Sequence, residues 1–81
     1  MVTYFVVQAY QAGKNGYLVP DEARELPTER QAELAARLLA TERPAVAAFS
    51  RSGDPVTGEW ADAAIIFQSG ELPDELFAAA G

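Results

Sequence analysis

The residues best placed to do chemistry form one run, Phe49-Ser50-Arg51-Ser52-Gly53-Asp54-Pro55. It sets a guanidinium between two hydroxyls, beside a glycine and an Asp-Pro pair. Arginine grips a carboxylate or phosphate through two parallel hydrogen bonds. Backbone amides at a glycine-bearing turn can form an anion-binding nest. Ser50, Arg51, Ser52 and Asp54 are therefore candidates for a small-anion site. Lys14 would join them if its loop lies at the same end of the molecule. The plainer reading is that Ser52-Gly53 and Asp54-Pro55 only turn the chain.

Two other groupings carry weaker chemistry. Asp54, Glu59 and Asp62 offer carboxylate oxygens of the kind that bind Mg²⁺ or Ca²⁺, but their spacing fits no cation loop and reads as a solvated rim. No metal or other cofactor is expected. Tyr4, Tyr10 and Trp60 have rings able to stack on bases, a mode that also needs a basic surround.

That surround is missing. The chain has 81 residues, net charge −6 and neither histidine nor cysteine. Residues 1–53 hold six acids and six bases. The remaining residues add Asp54, Glu59, Asp62, Glu71, Asp74 and Glu75 and no base. Such a field repels nucleic acid and anionic membranes, so neither is an expected partner. Without His or Cys the commonest general base and the best nucleophile are absent, and an enzyme is not expected. A short chain with no cysteine fits a cytoplasmic compartment better than a secreted, disulfide-stapled one. Met1–Gln8 lacks the basic start of a signal peptide. No apolar run reaches the ~18 residues needed to span a bilayer.

Such a site needs elements to position it. Val2–Gln11 is rich in β-branched and aromatic residues and reads as a strand. Asn15-Gly16 suits a tight hairpin, with Tyr17-Leu18-Val19 as the returning strand; a plain loop is the alternative. Pro20–Pro27 reads as irregular or as one helical turn. Thr28 then caps a helix ended by Pro44. Ala32, Ala35, Ala36 and Leu39 form its apolar stripe, widened by Leu34 and Leu38, and Glu33 and Arg37 pair one turn apart. Strands follow over 45–51 and 60–68, with a turn-forming loop over 52–58 between them. A short helix is expected over 73–80.

The expected fold is thus α+β: two layers, one main helix on a three- to four-stranded antiparallel sheet, in the order β-(β)-α-β-β with a short C-terminal helix. Phe5, Val7, Phe49, Ile65 and Phe67 would meet Leu34, Leu38 and Leu39. A right-handed crossover into the Ala45 strand would resemble half of a ferredoxin-like arrangement, an architectural likeness that carries no activity.

One helix covers one face. Alternation leaves Tyr4, Val6, Tyr10, Val46, Trp60 and Ile66 on the other. An exposed apolar patch of several hundred Å² marks an interaction site, and Trp and Tyr are the usual anchors. Three readings follow: self-association as a homodimer, another protein partner, or internal cover by Leu72, Leu76 and Phe77. An open sheet edge offers a second route to self-association.

Overall fold

In the computed structural model, which describes residues 1–70, the chain is mostly sheet. Its elements are β1 (Val2–Ala12), a 3₁₀ turn (Lys14–Gly16), β2 (Leu18–Pro20), β3 (Arg24–Leu26), α1 (Glu29–Leu39), β4 (Ala45–Asp54), β5 (Glu59–Trp60) and β6 (Ala64–Ser69). The helix expected over 73–80 lies outside the described residues, as do Leu72, Leu76 and Phe77.

The centre is a ladder between β1 and β4, antiparallel through nine consecutive pairs from Val2↔Gly53 to Tyr10↔Ala45. Both strands are long and rich in β-branched, aromatic or small residues. Beyond them the sheet continues in broken rows. β2 and β3 both pair with the outer edge of β1, and β5 and β6 with the outer edge of β4.

Each outer row is broken by an extra residue. From Val7 to Tyr10, β1 advances three residues while the opposite row advances four, from Arg24 back to Pro20. From Gly53 to Ser50, β4 advances three while its outer row advances four, from Trp60 to Ala64. A further shift between Ala48 and Phe49 leaves Ile66 as a bulge between Ile65 and Phe67. Such insertions bend strands and increase their twist.

The expected two-layer sandwich of a helix on three or four strands is therefore corrected. Among the described residues strand makes up 50% and α-helix with the 3₁₀ turn 20%, so six antiparallel strands in a curled sheet dominate and one α-helix packs against them. Pro20–Pro27, expected to be irregular or one helical turn, contains β3, held by pairing with Phe5–Val7. β1 and β4 run antiparallel, so no crossover of the ferredoxin-like kind joins them.

Local signals act as their chemistry requires. Asn15 and Gly16 both adopt positive φ (60° and 78°), and β2 returns antiparallel to β1. Thr28 Oγ1 accepts the Gln31 amide at 3.1 Å. Arg37 donates to Glu33 at 3.2 Å and also lies over the Phe67 ring.

The core joins α1 to one face of the ladder. Val7, Ala9, Ala32, Ala36, Val46 and Ala48 are buried there, with Phe5, Leu26, Ala35, Leu39, Ile66 and Phe67 packed around them. The register sets Val46, Ala48 and Ser50 opposite Ala9, Val7 and Phe5. The phase expected for β4 is thus inverted: Val46 faces the helix and Phe49 faces away. Val46 and Ile66, expected on the open face, belong to this core.

Leu34 and Leu38 are corrected too, being 51% and 74% exposed. At about 100° per residue they lie roughly 150° and 110° from the centre of the alanine stripe. Small side chains let helix and sheet approach closely, but they bury little area. The largest fully buried side chains are Val7 and Val46, each contributing about 1.5–3 kcal/mol.

A polar clasp fastens the helix end to the outer row. Arg43 Nε donates to Asp21 Oδ2 at 2.9 Å, and the Gln11 amide donates to Asp21 Oδ1. The Asp21 backbone amide donates to Ala9 O at 2.9 Å. The Arg43 hydrogen bond, then that from Gln11, hold the Asp21 carboxyl below its ordinary pKa.

Two outcomes follow. Ala36→Leu overfills the seam and destabilises by about 1–3 kcal/mol, whereas Leu38→Ala changes stability by under about 0.5 kcal/mol; urea unfolding measures both. Because the Asp21 pKa is lowered on folding, its contribution is complete above the pKa of an unfolded aspartate and is lost as pH falls through the folded value. Asp21→Asn is therefore less stable than the parent at neutral pH. The difference closes on acidification below the carboxylate range, read as paired melting curves against pH.

Candidate functional site

The face of the ladder turned away from α1 is built by the even residues of β1 and the odd residues of β4. The register sets Tyr4 opposite Arg51, Val6 opposite Phe49, and Val2 opposite Gly53. The outer rows add Glu25 beside Val6, Trp60 beside Gly53 and Ile65 beside Phe49.

These side chains enclose an open hollow of about 520 Å³ lined by Tyr4, Val6, Glu25, Phe49, Arg51 and Trp60. The Tyr4 and Trp60 rings stack with centroids 5.7 Å apart and planes inclined by 26°. The Arg51 guanidinium carbon lies 5.8 Å from the Trp60 ring centre, within range of a cation–π attraction. Tyr4 and Ile65 stand 37% and 41% exposed.

Gly53 fixes the position of the indole. Trp60 lies so close over its Cα that a methyl group there would overlap the ring. The hairpin behind it is closed by Asp54, whose Oδ1 accepts the Val56 amide at 2.8 Å while its backbone oxygen accepts the Gly58 amide, also at 2.8 Å.

The anion site read from the sequence does not assemble. Ser50 through Asp54 continue β4 and form no turn, so alternation sends Arg51 to one face and Ser50 and Ser52 to the other. Ser52 Oγ instead meets Thr3 Oγ1 at 2.8 Å. Lys14 lies past the far end of β1. The strand from Tyr4 to Ala12 alone is about 26 Å long. Asp54 and Glu59 face each other across the hairpin, and among the described residues no three His, Cys, Asp or Glu side chains gather as metal ligands.

Of the six residues expected on the open face, the structure brings Tyr4, Val6 and Trp60 together. Val46 and Ile66 lie in the helix-side core. Tyr10, paired between Pro20 and Ala45, is on the open face but only 6% exposed. Arg51 enters the same hollow from the failed anion motif. Glu25 is not singled out by the sequence, and Phe49 and Ile65, expected against the helix, lie on this face instead. Only the register between strands brings them in, and no local sequence signal encodes it.

A second hollow of about 630 Å³ lies beside the Asp21–Arg43 pair, over Val7, Leu26 and Leu39. Its charged groups include both members of that clasp. No helix among the described residues is long and apolar enough to cross a membrane. Compared with protein-family models, curated proteins and solved structures, the chain has no significant match.

Gly53→Ala should displace the indole. Trp60 is the single tryptophan, so its fluorescence reports this site alone. The expected outcome is a red-shifted emission maximum and faster quenching by iodide, with the Gln31–Thr28 helix cap and the far-ultraviolet spectrum retained.

Proposed function

We propose that this protein is a non-catalytic interaction module of the cytoplasm that pairs with a second copy of itself through the face of its sheet turned away from α1. The observation that carries the reading is the partly exposed aromatic hollow of Tyr4, Phe49 and Trp60, continued by Ile65. Aromatic rings in a concave patch are the usual anchors of protein interfaces.

One local feature suits a second copy of the chain, against one long-range term that opposes it. The chain carries −6 overall, and two such copies repel one another at long range. The hollow contains one acid and one base, Glu25 and Arg51, so its lining is locally neutral and compatible with itself. The sheet edges favour face over edge contact. Both outer rows are interrupted by register shifts, a common way of discouraging edge-to-edge pairing. The lack of histidine and cysteine supports a binding role over a catalytic one, and the lack of cysteine supports the compartment.

Sedimentation velocity of the full chain from micromolar to about 1 mM, a range that detects association as weak as ~4 kcal/mol, should show a monomer–dimer equilibrium. Tyr4→Ala weakens it by about 2 kcal/mol or more. Leu38→Glu, on the exposed side of α1, leaves it unchanged. A parent chain monomeric throughout that range refutes the reading.

A further inference from the structure

Glu25 and Arg51 flank the hollow on opposite sides of β1. Glu25 sits beside Val6 through β3, and Arg51 beside Tyr4 through β4. Two strand spacings and two residues of rise put their Cα atoms about 12 Å apart. The midpoint of the line joining them falls between Tyr4 and Val6. We infer that two copies meet about a two-fold axis between their sheets that sets Glu25 of each against Arg51 of the other, with the Tyr4–Val6 strip of one lying on that of its mate. This rests on the reading that copies join through this face, and it adds the register at which they join.

The argument is one of symmetry and charge. In a two-fold interface any contact made once is made twice, with the roles exchanged. An axis lying between the two sheets and parallel to them, crossing above the midpoint of the Glu25–Arg51 line at right angles to it, brings each acid over the opposing base in a single operation. The same operation stacks apolar residues on apolar residues along the strip. A register displaced by one strand row loses both charge contacts together. Opposite charges fix the register of an interface, and like charges brought face to face oppose it strongly. Arg51 keeps its place over Trp60, and a guanidinium with five donors can serve a contact within its own chain and another across the axis.

The test is a charge exchange on the full chain, followed by sedimentation and by native mass spectrometry of mixtures. Glu25→Arg sets arginine against arginine, and Arg51→Glu sets glutamate against glutamate. Each variant alone should dimerise about tenfold more weakly or worse. Mixed, they should form a heterodimer in which both contacts are again complementary, and the double variant should recover self-association. Recovery on mixing also shows that the single variants are folded. If the parent dimerises, Tyr4→Ala weakens it, and yet mixing restores nothing, the register is wrong while the self-association reading stands. If the parent is monomeric, both fall.

Discussion

The unbroken ladder between β1 and β4 is the constraint on which the rest of this structure depends. Nine pairs in one register decide which side chains share a face, and therefore what the helix covers and what it leaves open. A one-residue slip would send every side chain of one strand to the opposite side. It would bury Phe49 and Arg51 against the alanine seam and expose Val46 and Ala48. The burial of Val7, Ala9, Val46 and Ala48 on one side makes that alternative costly. The aromatic hollow on the other side depends on the same register.

The division between the two faces has an energetic side. The seam beneath α1 is made chiefly of alanines and two valines, and a domain of this length buries only about 60% of the surface exposed by its unfolded chain. Phe5 and Phe67 pack at its rim, but three other rings, Tyr4, Phe49 and Trp60, are gathered around the hollow on the opposite face. A good part of the apolar area that would repay burial thus lies outside the helix-side core. Association would cover it, and ligation of the native state by a second copy adds to stability by mass action.

What could be read from the sequence was local chemistry. Asn15-Gly16 specified the turn of the first hairpin, Thr28 the start of α1, and Glu33 with Arg37 a pair one turn apart. The apolar runs marked β1 and β4. Each of these depends on residues within about four positions of one another. What could not be read was relative: the face on which β4 meets β1, and the points where the outer rows gain a residue. Strict alternation through 60–68 therefore placed Ile66 outward, because nothing in Ala64-Ile65-Ile66-Phe67 announces a bulge. The short polar strand Arg24-Glu25-Leu26 carries no alternation at all and exists because β1 offers it an edge. The candidate site suffered in the same way. Tyr4, Val6 and Trp60 were found by composition, whereas Glu25, Phe49, Ile65 and the company kept by Arg51 were fixed by register.

The interrupted outer rows have a consequence for how such a chain can change over generations. Each extra residue reverses inside and outside for whatever follows, until a second one reverses them again; the stretch from Trp60 to Gln68 contains two. Insertions and deletions near Asp62 or Ile66 thus exchange which side chains reach the hollow while leaving the middle of the sheet intact. The same change within β1 or β4 would scramble nine pairs at once. Drift in length is confined to the margins, and the margins supply Glu25, Trp60 and Ile65. Relatives of this fold could therefore differ in whom they bind well before they differ in how they fold.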